Sequence, residues 1–260
     1  MKEILSYWSV DITSVSIVAL VCLFFGLIAK FKVRIGYFLS AIILMIICFF
    51  SPLHILSQHY LFSAHMSVHV LLLLCVAPLL LMSLPKSSEI SFFIFLKQHP
   101  VACWLTGVGI MWFWHVPVVF NNSMDLMHMQ QEFQPVHFIE TISLIIAGMI
   151  FSAPVLHSNK KFRIDAMSGV VYLFTACIAC SLLGLLITFA PINTYHHFLS
   201  MNDGLGFNKI IQQNGITQLN DQQAAGLIMW VPCCLIYVSG AMCLLMQWFR
   251  QKDEILVELK

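Results

Sequence analysis

Apolar residues in this chain gather into seven long runs divided by short polar segments: Ile12–Ala29, Ile35–Leu53, Met66–Leu84, Val101–Val118, His137–Leu156, Ser168–Ala190 and Ala224–Phe249. About 20 apolar residues in a helix cross the hydrocarbon core of a bilayer, and each run is close to that length. A spanning segment must satisfy its backbone hydrogen bonds internally, and the period-2 alternation of a membrane barrel is missing. The pattern predicts an all-α polytopic membrane protein with seven transmembrane helices in one domain over residues 1–260. No fixed-period repeat is visible, and an odd helix number argues against a simple inverted duplication. The first run reads as a permanent helix, not a cleaved signal: Lys2 is the only early cation, Glu3 and Asp11 follow, and no small-residue cleavage site appears.

Composition removes several function classes. Of the 260 residues 60% are hydrophobic and 10% charged, against roughly 25% charged in soluble domains. Thirteen Lys and Arg against twelve Asp and Glu give a net charge of +1, so there is no basic surplus for nucleic-acid binding. All nine cysteines fall inside the apolar runs, which rules out a loop-stapling disulfide framework. No G-x-S-x-G, P-loop or glycine-rich dinucleotide turn is present, and the chain is not read as an enzyme.

The basic residues orient the helices. Lys30, Lys32, Arg34, Lys86, Lys97, Lys160, Lys161, Arg163, Arg250, Lys252 and Lys260 all fall on one side of a seven-span topology, leaving Lys2 and Lys209 for the other. This predicts an external amino terminus and a cytoplasmic carboxyl terminus. Histidine distributes the opposite way. His54, His59, His65, His69, His115, His128, His137, His196 and His197 fall on the external side, and only His99 and His157 on the cytoplasmic side. An imidazole is neutral near pH 7 and ligates metals.

Several constellations could carry chemistry. His65 and His69 are spaced i,i+4 where the third run begins, a geometry that can chelate one metal or simply leave two interfacial histidines to water and carbonyls. His115 ends the fourth run at the expected depth of His69 and is the candidate third ligand; its neighbours Trp112 and Trp114 suit an aromatic belt, and Pro117 a helix stop. His137 and Glu140 share a face of the fifth run. A carboxylate at membrane depth is costly and turns inward to pair, to support a metal-bound imidazole or to ligate. Met124, Met127, His128 and Met129 fall in the loop after the fourth run, as soft donors or as membrane-facing filler. Cys177 and Cys180 read as a close helix contact; Cys233 and Cys234 could transfer metal or simply be small. Asp221 is placed to cap the seventh helix and Pro232 to kink it; alternatively Asp221 and Met229 join the external site.

Taken in order, these segments resemble the CtaG-type cytochrome c oxidase assembly factors of bacterial membranes. The resemblance rests on His65-Met-x-x-His69 with Ala77-Pro78, on Trp114-His115-x-Pro117, and on His137-x-x-Glu140 with Phe151 and Pro154. It continues through Leu185 to Pro191, then Asp221-Gln-Gln and Gly226-Leu-Ile-Met-Trp-Val-Pro232. Two positions depart from the pattern: Thr141 where a second histidine is expected, and Cys233-Cys234 where paired glycines are expected. The resemblance implies a multi-pass protein of the bacterial cytoplasmic (inner) membrane, needed to make active haem–copper oxidase and assisting copper delivery or insertion.

The leading expectation is therefore a non-enzymatic copper-handling factor whose metal site faces the periplasm or exterior. Its candidate residues are His65, His69, His115, His137, Glu140, Asp221 and Met229. The expected partners are oxidase subunits, other copper chaperones and the lipid bilayer. A membrane redox protein holding b-type haem between His69 and His115 or His137 is one alternative. A copper transporter is another, although the cytoplasmic halves of the runs offer only cysteines as a path.

Overall fold

A computed structural model describes residues 6–28, 33–85, 91–129, 133–195, 198 and 206–258. His196, His197, Lys2, Lys30, Lys32, Lys86 and Lys260 lie outside the described residues, as do the side chains of His128, Met129 and Lys252. The chain folds as α1 (Ile12–Ile28), α2 (Ile35–Phe50), α3 (Pro52–His59), α4 (Phe62–Leu71), a π-helical turn (Leu72–Val76) and α5 (Ala77–Ser83). It continues through α6 (Ser91–Gln98), α7 (Pro100–His115), α8 (Pro117–Met129), α9 (Pro135–Leu156) and α10 (Ala166–Phe189), and ends in α11 (Phe207–Gln213) and α12 (Gln218–Glu258).

All seven apolar runs are helical, but they are not seven uninterrupted spans. Four helices are long and apolar enough to cross a membrane: Phe62–Ser83, Pro135–Leu156, Ala166–Phe189 and Gln218–Arg250. Counting each bent pair as one span gives six: α2 with α3 turns by 53°, and α7 with α8 by 67°. Ile12–Leu27 is a shorter apolar helix. Proline causes both bends. Pro52 and Pro117 lack the amide that would continue the ladder and force the preceding residue out of the helical region; Ser51 accordingly sits at ψ 171° and Val116 at ψ 126°. Beyond Pro117 the expected loop is helix α8. Its Phe120, Met124 and Met127 recur at helical spacing and are buried in the core, not turned to lipid.

Pro78 leaves the carbonyl four residues before it without its usual donor, and the helix widens into the π turn just after His69. Gly148 of α9 admits this wide turn, since a Cβ there would lie 2.7 Å from Ala77 Cβ and 3.0 Å from the Leu73 carbonyl. α12 runs through Pro232 as one helix. Thr217, not Asp221, begins it, accepting from the Asn220 amide at 3.2 Å.

The helices enclose two large apolar clusters, one around Met66, Met111, Phe120, Phe151, Ala176 and Met229, the other around Ile17, Met45, Phe49, Leu80 and Ile145, and a small third one of Ile55, Tyr60, Phe207 and Ile211. α10 and α12 pack antiparallel, with Gly169 against Leu244, Leu173 against Gly240 and Gly184 against Trp230. Outward faces are apolar, as on α10, where Val171, Phe174, Ile178, Leu182, Leu186 and Phe189 are exposed. Polar chemistry separates toward the two ends of α9. At its last turn Arg34 donates to Met82 O and Ser158 Oγ, Lys97 to Lys161 O and Arg163 to His157 O. At its first turn lie His137 and Glu140, about 25–30 Å away at 1.5 Å per residue.

Candidate metal centre

The centre is assembled from α4, α7 and α9, with α3 and α12 behind them. α4 supplies His65, Met66 and His69 from its second turn. Leu61, its N-cap residue, offers no side-chain acceptor, so the first amides of α4 need one from elsewhere. Asp221 of α12 provides it: Phe62 N donates to one carboxylate oxygen at 2.7 Å, and Ser63 N to the other at 3.1 Å, joined by the Ser63 hydroxyl. The sequence places Asp221 as a cap, but it caps the histidine helix across the fold and not its own.

His115 is the last residue of α7. Its Nδ1–H donates to the Met111 carbonyl one turn back at 2.5 Å, which directs Nε2 and its lone pair into the bundle. The bend at Val116 removes the helical donor to the His115 carbonyl, and the Tyr195 hydroxyl takes that place at 3.0 Å. Trp114 donates to Ser143 Oγ of α9 at 2.9 Å, which fixes α7 and α9 at a common level. Trp114 is buried, so it does not act as the expected belt residue.

α9 brings Glu140, which is 1% exposed. One carboxylate oxygen lies 3.4 Å from His69 Nε2 and 3.8 Å from His65 Nε2; the other lies 3.7 Å from His137 Nδ1. His69 Nδ1 is 3.3 Å from His115 Nε2, and Met66 Sδ is 3.1 Å from the same nitrogen. His65, His69 and Glu140 each offer a ligand atom within 4.8 Å of the others. His137 lies beyond this triad, its Nδ1 facing the Gln58 amide of α3 at 3.4 Å. Among the described residues, His65 Nε2, His137 Nε2 and both Glu140 oxygens are buried without a hydrogen-bond partner. Buried polar atoms usually find partners, and three of these, His65 Nε2 and the two Glu140 oxygens, belong to the group whose ligand atoms converge. Two imidazoles and a carboxylate beside an imidazole–thioether pair suit a late transition metal, the thioether favouring copper.

Met229 does not enter this group; it is buried in the apolar cluster with Met66 and Met111. Asp221 stands apart as well, its oxygens occupied by α4 amides.

Residues 29–251 match the family described as cytochrome c oxidase caa3 assembly factor. The chain belongs to that family. Comparison with curated proteins and with solved structures gives no match. The match spans every residue of the cluster, His65, His69, His115, His137 and Glu140 included. Met66 lies within the His65-Met-x-x-His69 segment that the sequence already singles out. Sequence reasoning left out two of the cluster's neighbours, of which Met111 is legible in hindsight from its i−4 spacing to His115. Gln58 carries no sequence signal, because only the bend at Ser51 brings α3 over the site.

Proposed function

We propose that this cytochrome c oxidase assembly factor handles copper for its client oxidase, holding the ion between His65, His69 and Glu140 with His115 and Met66 beside them. The carrying observation is the set of buried, partnerless ligand atoms on His65 and Glu140. His137 steadies the far oxygen of Glu140, and Asp221 positions the two imidazoles of α4 through its backbone contacts. The protein works without turnover of a substrate: it takes copper from a donor chaperone and releases it to an oxidase subunit. Seven spans with an external amino terminus put the site on the periplasmic or exterior side of a bacterial cytoplasmic membrane, and the gathering of Arg34, Lys97, Lys161 and Arg163 at the opposite end supports that orientation. The haem alternative is less favoured, because His115 Nε2 already packs against Met66 Sδ at 3.1 Å as well as His69 Nδ1 at 3.3 Å. The test is copper titration of purified protein beside a variant with His65, His69 and His115 changed to Ala, and oxidase activity in cells carrying each. Tight copper binding and active oxidase only with the unaltered chain are expected; equal copper binding by both proteins would remove the ligand assignment.

A further inference from the structure

Four cysteines meet where α10 crosses α12, beyond the histidine centre. Cys177 and Cys180 lie one turn apart on α10, and Cys233 and Cys234 are adjacent on α12. The antiparallel register sets Cys177 against Cys234, with sulfurs 2.9 Å apart, and Cys180 toward Cys233. All nine cysteines of the chain are free. Close packing needs small residues here but does not need sulfur, and Gly184 and Gly226 already provide the closest approach one to two turns away. The Ser181 hydroxyl lies 3.1 Å from Cys234 Sγ, a polar group for a charged sulfur in an apolar surrounding. Met111 completes the arrangement. Its sulfur is 4.0 Å from Cys180 Sγ, and its carbonyl accepts from His115.

We infer that Cys177 and Cys234 form a second metal site, specific for Cu(I), with Cys180 and Met111 between it and the histidine centre. Thiolate and thioether donors select Cu(I) over harder ions. Zinc at a structural site closes a tetrahedron of four ligands. Among the described residues only His65, His69 and Glu140 converge as a group of three or more, so the thiols are arranged as pairs, and two thiolates are enough for Cu(I). Binding replaces two S–H protons by one copper ion, the protons leaving to solvent, with no electron transferred. His115 Nε2 faces His69, its Nδ1 holds the Met111 carbonyl, and the Met111 sulfur faces Cys180, so a route of ligand exchange between the sites needs the Met111 thioether to turn toward His115. The route, though not the thiol site, rests on copper being the cargo of the histidine centre.

The experiment uses the full chain in lipid nanodiscs, reduced and without oxygen, titrated with Cu(I) against a chromophoric chelator. X-ray absorption at the copper edge then reads the ligand type. The unaltered protein should hold both nitrogen-ligated and thiolate-ligated copper. Changing Cys177→Ser with Cys234→Ser should remove about one equivalent and most of the thiolate signal while sparing the nitrogen signal, whereas His65→Ala with His69→Ala should do the reverse. Should the double cysteine variant fail to fold, Cys234→Ser alone, at a half-buried position, carries the same comparison. A thiolate signal absent from the unaltered protein, or undiminished in the cysteine variants, overturns the inference and leaves the histidine reading intact. Thiolate-bound copper without any nitrogen-bound copper sustains the thiol site and overturns the histidine reading instead.

Discussion

Asp11 illustrates how one carboxylate is kept ionised at the edge of an apolar bundle. Burial pushes its pKa up, but the His54 imidazole, 3.4 Å away, and a hydrogen bond from the Ser14 amide at 2.9 Å outweigh that and hold it well below the usual carboxylate range. A depressed carboxylate contributes stability above its unfolded pKa of about 3.9, and that contribution fades as pH falls through the folded value. Asp11→Asn should therefore lower the thermal midpoint at pH 6, with the gap to the unaltered protein narrowing below about pH 4. A gap independent of pH would show that the carboxylate charge is not what matters. At this scale the sequence is a partial guide. The i,i+4 spacing of His65 and His69 is visible because helical periodicity is local. Met111 is not, since a methionine beside a histidine and one filling a core look alike in sequence.

Individual elements depend on contacts from outside themselves. α4 lacks its own N-cap and borrows Asp221, so Asp221→Ala should cost about 1–2 kcal/mol. It should also speed hydrogen exchange at the Phe62 and Ser63 amides; unchanged exchange there would mean that water replaces the cap at no cost. The crossing of α10 and α12 depends on Gly226, where a Cβ would collide with Thr188 and lie 2.6 Å from the Gly184 carbonyl. Gly226→Ala should destabilise by about 1–3 kcal/mol through overpacking. Gly36→Ala, with nothing within 4 Å of the added Cβ, is the control expected to be neutral or slightly stabilising in thermal unfolding. Element type was legible because long apolar runs leave little choice but helix. The stop at Pro117 was legible; the break at Ser51 and the helix that resumes beyond Pro117 were not, because proline at a first turn and proline at a stop read the same until the chain beyond it is seen to turn.

For the whole molecule, the decisive sequence signal was the separation of cations from histidines. The structure gives it a physical counterpart in the two ends of α9. The proposed orientation rests on that separation and is directly measurable: green fluorescent protein fused after Lys260 should fluoresce, and alkaline phosphatase at the same point should be inactive. Phosphatase activity there would invert the topology and put the histidine centre on the cytoplasmic side. The cross-fold cap by Asp221 and the meeting of four thiols could not be read beforehand. Both depend on the register of α12 against helices far away in sequence, and that register is set by glycine contacts that leave no periodic trace.

The single carboxylate of the histidine centre has a consequence for oxidation state. Neutral imidazoles and a thioether carry no charge, so an ionised Glu140 sets the ledger of the pocket at −1. A monovalent copper ion makes it electrically neutral, whereas a divalent one leaves +1 in a medium where unbalanced charge is expensive. In the proposed copper role, with no second carboxylate in the group, electroneutrality would favour the reduced ion and let an oxidised one leave more readily than from a site with two acids.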